Sequence, residues 1–363
     1  MADSSVFQAD TQAVIDRVLE EQRREFAPLG PDAAALIDRA EAFLAGGKRL
    51  RAEFLAAGYR SCGGRDLAGE RSPAVQAAAA LELFHAAALA HDDIIDRSDT
   101  RRGAPSAHRA FEAIHRGSGW AADGARFGES AAIIFGDLIL VWSDERFIEA
   151  TALAADPAWG RRAREEFRRM RAEVAAGQYL DLVEEVAWPA VPVADRALRA
   201  RRVATSKSAR YSVEAPLVLG ALLAGADDER VARIRAFGLP LGLAFQFRDD
   251  ILGVVGDERV TGKPAGDDLR EGKRTVLIAA AEARANEAER AWFDERLGRP
   301  DLAPEEVAAM AARIRELGAL DDVEAQIAEL LDEALAALDR AELDEDSRAL
   351  LEGLAHRAAR RDV

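Results

Sequence analysis

Residues 74–97, AVQAAAALELFHAAALAHDDIIDR, contain no glycine or proline, and before His91 only Gln76, Glu82 and His85 interrupt the apolar residues. The run is too long for an ordinary strand and reads as one helix, apolar on nearly every side. Such a helix has no face to give to water, so other elements must wrap it. The rest of the chain supplies wrapping of the same kind, because Ala, Leu, Arg and Glu dominate while Tyr numbers only 3. These are helix formers, and sheet formers are sparse.

Amphipathic helices are predicted at 10–28 and 31–45, the second entered through Pro31-Asp32, before GGKRLR (46–51) breaks the periodicity. The stretch 117–129 is glycine-rich and reads as a loop, and helical patterns resume at 129–155 and 157–186. WPAVPVADR (188–196) is a turn. Long helices follow over 196–225 and 228–256, the latter with a kink expected at Gly238-Leu239-Pro240. Residues 256–273 are polar and punctuated by glycine, hence a loop, while 274–297, 304–317, 319–341 and 345–360 are helical. No alternation justifies a strand. The expected fold class is all-α, a single domain over 1–363 built as a large helical bundle, with a flexible N-terminus over 1–9.

Cys62 is the one cysteine, which excludes an internal disulfide and suits a reducing compartment. MADSSVFQAD lacks the basic start and apolar stretch of a secretory signal, and no window of about 18 apolar residues is free of charge. A cytoplasmic chain without a membrane span is therefore expected. A net charge of -16, from 49 Lys+Arg and 65 Asp+Glu, argues against nucleic acid as the partner. If the substrate is an anion, local arginines or bound cations must overcome that field.

The long helix ends in such a place. HDDIIDRSDTRRG (91–103) carries Asp92, Asp93 and Asp96 and then Arg101 and Arg102. At 3.6 residues per turn the three carboxylates share a side of the helix end. They oppose the macrodipole there, and the apolar run before them suggests partial burial, so a cationic neighbour is required. One reading is a solvated helix end paired with Arg97, Arg101 and Arg102; the other is a cation site. AFQFRDDILG (244–253) repeats the pattern, with Asp249 and Asp250 ending a second apolar helix. Two core helices that finish in aspartates could face each other across one cavity. Carboxylate ligands with no cysteine or histidine set suit Mg²⁺, which shares phosphate oxygens. Lys48, Arg51, Arg101, Arg102, Lys207, Lys263 and Lys273 stand beside glycine breaks or acidic clusters, where each is either a surface charge or part of a diphosphate clamp.

Taken in order, GGKRLR, ELFHAAALAHDDIIDRSDTRRGAPSAH, FGDLIL, GQYLDL, KSARYSVEAP, FQFRDDILG and GKPAGDDLREGKRT, within residues 46–275, resemble the trans-isoprenyl diphosphate synthase (polyprenyl synthetase) family. The resemblance implies an all-α isoprenoid-synthase fold, usually a homodimer. It implies Mg²⁺-dependent head-to-tail condensation of isopentenyl diphosphate with an allylic diphosphate. On the matching positions, it implies metal ligands at Asp92, Asp96 and Asp249, supported by Asp93 and Asp250. Lys48, Arg51, His85 and Arg102 match the isopentenyl diphosphate site; Arg101, Lys207 and Lys263 match contacts to the allylic diphosphate, and Lys273 a basic position closing over it. Lys207, Ser208 and Gln246 match groups facing the developing allylic cation, and Asp181 a carboxylate that orients the lysine and the metal shell. Read without the motif, His85 is a core histidine.

Two positions depart from the pattern. Gly253 stands where the family's second cluster has a third aspartate, a distal contact, so Gly253→Asp is expected to change the rate only modestly. Ser208 replaces threonine and keeps the hydroxyl. A terpene cyclase would carry a different second metal motif and lack GGKRLR, and a non-catalytic partner subunit would lose aspartates that this chain retains. Ala87 and Ala88, five and four residues before Asp92, leave open a position where short-chain members carry an aromatic floor, and Phe84 lies one turn deeper. The expected main product is geranylgeranyl diphosphate, with longer polyprenyl diphosphates as the alternative.

Overall fold

The computed structural model describes residues 2–256, 266–299 and 301–360. They are almost wholly helical, as the composition requires. The chain forms two compact units, Met1–Glu165 with Leu219–Ala226, and Glu166–Val218 with Asp227–Val363.

The first unit holds α1 (Ala2–Phe26), α2 (Pro31–Leu44), α3 (Leu50–Ser61), α4 (Pro73–Ile95), α5 (Ala107–Gly117) and α6 (Gly124–Ala152). Helix α4 is the apolar run, buried along most of its length against α6, α3 and α1. By length and composition it could cross a membrane, but 83% of that window is buried inside the protein. Its start is fixed by Ser72, whose hydroxyl accepts from the Val75 N–H, with Pro73 in the first turn where no N–H is needed. Ser143 of α6 donates to the Ala80 carbonyl at 2.7 Å and so joins the two helices in their dry contact. Residues 2–9, expected as a flexible N-terminus, are helical. Helix α1 begins at Ala2, and Phe7 is 2% exposed, an apolar anchor that a short polar-looking terminus concealed.

A second difference is a small hairpin, β1 (Thr100–Arg101) paired antiparallel with β2 (Ala104–Pro105), where no strand was expected. Arg102 (φ 53°) and Gly103 (φ 73°) form its tip, and two left-handed residues in a row are what a two-residue hairpin turn demands.

The second unit contains the C-terminal part of α7 (Pro157–Ala187), then α8 (Val193–Val203), a π-helical segment (Ala204–Glu214) that runs on into α9 (Ala215–Leu223), whose residues from Leu219 on belong to the first unit, and α10 (Asp228–Val255). After it come α11 (Asp267–Glu271), α12 (Val276–Arg284), α13 (Glu287–Asp294), α14 (Pro304–Glu316), α15 (Ala319–Asp339) and α16 (Glu345–Arg360). Its core centres on Trp188, Phe247, Leu277, Phe293 and Met310. Helix α10 carries Pro240 in its interior. The run 196–225, expected as one regular helix, is interrupted by the π segment. Thr205 and Ser206 hydroxyls donate back to the Arg201 and Arg202 carbonyls as the chain enters it, the side-chain competition that loosens a regular helix.

Candidate active site

In the first unit five partly exposed residues of α4 and its C-cap, His85, Ala88, Leu89, Asp92 and Asp96, form one stripe at spacings of three and four, while His91 and Ile94 are partly exposed as well. Asp93 points the other way. Its carboxylate is fully buried and accepts from Arg101 Nε at 2.8 Å, while Arg101 Nη2 lies 3.9 Å from Asp92. The hairpin makes this possible by returning Arg101 towards the helix end that it follows in sequence. Asp93 therefore anchors an arginine, while Asp92 and Asp96 stay on the open stripe.

Beside the stripe lies a cavity of about 120 Å³ lined by Arg39, Arg49, Glu82, His85, Arg101 and Arg102, among others. Arg102 reaches it over Gly47, where a Cβ would come within 3.2 Å of the guanidinium, and Gly47 itself has φ +100°. The second glycine of GGKRLR, Gly47, is thus a seat for an arginine. Arg49, also left-handed at φ 50°, donates to Glu82 at 3.0 Å and to the Leu44 carbonyl at 2.9 Å. Burial holds the His85 imidazole well below its ordinary value, and the charges of Arg51, Arg102, Arg101 and Arg49 add to this. His85 is a neutral hydrogen-bonding group in a basic pocket. Burial also lowers Arg102, with Glu82 opposing. Such a pocket, dense in guanidinium groups, suits a diphosphate. Lys48 is exposed and does not line the cavity. Arg39 and Arg49 do, and nothing in the spacing of GGKRLR distinguishes Arg49 from its neighbours.

In the second unit the π segment presents Lys207, whose Nζ lies 2.6 Å from Asp181 of α7, and next to it the half-buried Ser208. Glycines on both flanking helices admit it. A Cβ on Gly177 of α7 would come 2.7 Å from the Lys207 Cα, and one on Gly242 of α10 would come 2.8 Å from the Ala209 carbonyl carbon. Both are backbone contacts and cannot yield by a side-chain rotation. Gly177→Ala should therefore displace Lys207, costing about 1–3 kcal/mol of stability by overpacking and a larger share of activity. A thermal midpoint and turnover both equal to wild type would show that the notch is not needed.

Helix α10 carries the second acidic cluster. Gln246 donates to Asp250 at 2.8 Å, and Asp249 is partly exposed beside it. Burial pushes the Asp250 carboxyl up to about 8 despite that bond, with Asp268, Asp249 and Asp181 adding repulsion. A Cβ on Gly253 would fall on the Asp268 carboxylate, 2.9 Å from Oδ1 and closer to Oδ2. Lys273 Nζ sits 3.7 Å from Asp268 and 2.5 Å from Glu271. Lys263 lies outside the described residues. Crowded, mutually repelling carboxylates with only oxygen ligands fit a hard divalent cation. Among the described residues no three acidic, histidine or cysteine side chains form a ready-made cage.

The polyprenyl synthetase family model matches residues 34–314. This chain belongs to the polyprenyl synthetase family. The polyprenyl synthetase described here is 33% identical over 315 residues, 85% of its length and 88% of the relative's, to a geranylfarnesyl diphosphate synthase of Aeropyrum pernix. Over 359 residues, 98% of its length and 97% of the relative's, it is 33% identical to the heptaprenyl diphosphate synthase component 2 of Geobacillus stearothermophilus. A crystal structure of geranylgeranyl pyrophosphate synthase from Corynebacterium glutamicum, complexed with isoprenyl diphosphate and magnesium, superposes with a TM-score of 0.91 at 37% identity, covering 98% of this chain and 99% of that one. The fold is the all-α isoprenyl diphosphate synthase fold, and the polyprenyl synthetase is a trans-prenyltransferase.

Proposed function

We propose that the protein condenses isopentenyl diphosphate head-to-tail with an allylic diphosphate, and that its main product is geranylgeranyl diphosphate. The observation that carries this is the stripe on α4, where Asp92 and Asp96 stand in line with His85 beside an arginine-lined cavity. Arg102, Arg49 and Arg51, with neutral His85, hold isopentenyl diphosphate, and Lys48 reaches it from the exposed turn. Asp92, Asp96 and Asp249 hold Mg²⁺, which when bound stabilises the charge that develops on the departing diphosphate. Arg101, Lys207, Lys263 and Lys273 bind the allylic diphosphate by charge-assisted hydrogen bonds. Lys207, Ser208 and Gln246 turn their dipoles to the allylic cation, and Asp181 fixes the Lys207 ammonium. The released diphosphate accepts the proton, so no protein base is needed. Residues 1–363 act together as one isoprenoid-synthase domain in the cytoplasm.

The relatives make products of different length at similar identity, so length must be argued from residues. Ala88 lies on the open stripe, whereas Ala87 is fully buried and Phe84 is 6% exposed one turn below Ala88. Growth passes Ala88 and stops at the Phe84 ring. Ala88→Phe should shorten the main product to farnesyl diphosphate and Phe84→Ala should lengthen it, read as alcohols after dephosphorylation. A distribution unmoved by both substitutions would remove this face from the tunnel wall.

The protein works as a homodimer. Ile134, Val141 and Ile148 recur every seven residues along α6 and are 61%, 54% and 50% exposed. Large apolar residues exposed in a row call for a covering surface, and a second copy presents the same row. Val141→Glu should convert a dimer to a monomer in light scattering, and a monomeric wild type would contradict the assignment.

A further inference from the structure

Three glutamates and three arginines of the second unit alternate around a closed ring, in the order Arg210, Glu173, Arg169, Glu166, Arg235 and Glu214. We propose that this ring holds the π segment in its register and so aims Lys207 and Ser208, with Arg210 and Glu214 as positioning residues for the reaction. This rests on the reading of Lys207 and Ser208 as groups that meet the allylic substrate.

Every neighbour in the ring is an ion pair. Arg210 Nη1 binds Glu173, and its Nε lies 3.5 Å from Glu214. Arg235 stands between Glu214 and Glu166, at 2.5 and 2.6 Å. Arg169 closes the ring, 2.7 Å from Glu166 and 3.6 Å from Glu173. Glu166 and Glu214 are buried, and a buried carboxylate must be paired. Burial works against the charge on Glu166, yet the bonds from Arg169 and Arg235 hold its carboxyl below its ordinary value. With two of its carboxylates buried, the ring is not a set of solvated surface pairs.

Its members stand on α7, on the π segment and on α10. On α7, Glu166, Arg169, Glu173, Gly177 and Asp181 recur at spacings of three and four, which is one face. That face meets the π segment level by level: Glu173 pairs Arg210, Gly177 admits the Lys207 backbone, and Asp181 pairs the Lys207 ammonium. Helix α10 repeats the arrangement with Arg235, Gly238 and Gly242. Arg235 pairs Glu214, and a Cβ on Gly238 would come 3.0 Å from the Glu214 Cα. The glycines give the segment room, but room alone does not select a register. A π-helix is commonly a single-turn bulge, whereas this one spans 11 residues. Relaxation to turns of 3.6 residues would rotate Lys207 and Ser208 about the axis relative to Arg210 and Glu214. The ring, by fixing Arg210 and Glu214 to both flanking helices, opposes that rotation.

The test compares Arg210→Met, Glu214→Gln and Arg210→Lys with wild type, Lys207→Ala and Glu282→Gln, each assayed well below its thermal midpoint. Methionine keeps the apolar stem of Arg210, and glutamine keeps the shape of Glu214. A displacement of about 1 Å can cost on the order of 10²-fold in rate. Arg210→Met and Glu214→Gln should therefore lower kcat by about 10- to 100-fold and raise KM for farnesyl diphosphate, with KM for isopentenyl diphosphate within about twofold of wild type. Arg210→Lys, which keeps the charge, should recover much of kcat. Glu282→Gln removes a buried charge that is not in the ring, and it should lower the midpoint while leaving the kinetic constants near wild type. Ring variants that behave like Glu282→Gln, beside an impaired Lys207→Ala, overturn the inference and leave the role of Lys207 standing. Wild-type constants in Lys207→Ala overturn both.

Discussion

Replacing Asp92 by alanine is expected to lower turnover by about 10²–10³-fold, the scale of losing one preorganised electrostatic contact at a leaving group. The helical circular dichroism spectrum should not change. Asp92 is 19% exposed at its side chain, on the open stripe of α4, and Arg101, 3.9 Å from it, is bound more closely by Asp93. A carboxylate at a helix C-terminus opposes the macrodipole, so its removal costs the fold nothing and relieves about 0.3–1 kcal/mol of repulsion where it is exposed. Activity and stability should therefore separate. A folded Asp92→Ala protein with near-normal turnover would take the first cluster out of the mechanism. Asp93→Ala should behave otherwise, because it leaves Arg101 without its buried partner.

The largest stability effect is expected in the second unit. Glu282 of α12 is fully buried and accepts from Trp188 Nε1 and from Arg196 Nη1, both at 2.7 Å, with Arg274 Nη1 3.6 Å away. The arginine side chains are each 6% exposed. Glu282→Ala leaves two guanidinium groups in the core without their shared counter-charge. Breaking a buried pair from one side costs about 3–5 kcal/mol. Urea denaturation should show that loss, and Glu282→Gln should recover part of it by keeping the Trp188 hydrogen bond. A loss below about 1 kcal/mol would be that of a solvated ion pair and would contradict this account.

Much of this could be read from the chain before the fold was known. Helix α4 is legible because an apolar run of that length admits no other structure, and the acidic clusters because carboxylates rarely end apolar helices without a purpose. Other features depend on contacts that no local pattern encodes. Glu282, in LIAAAEARA, reads as an ordinary exposed helix residue, and only packing reveals the two arginines beside it. The π segment replaces a regular helix because Gly177 and Gly242, distant in sequence, let its backbone in close. Arg49 could not be told from Lys48 and Arg51, since its left-handed φ is what turns it to Glu82.

The most direct test is product identification. Purified protein is incubated with isopentenyl and farnesyl diphosphates, with Mg²⁺ or with excess chelator, and the products are dephosphorylated and separated. The account predicts a linear C20 alcohol, geranylgeraniol, as the main product with Mg²⁺ and no elongation with chelator. Cyclic hydrocarbons, or no elongation in the presence of Mg²⁺, would contradict it.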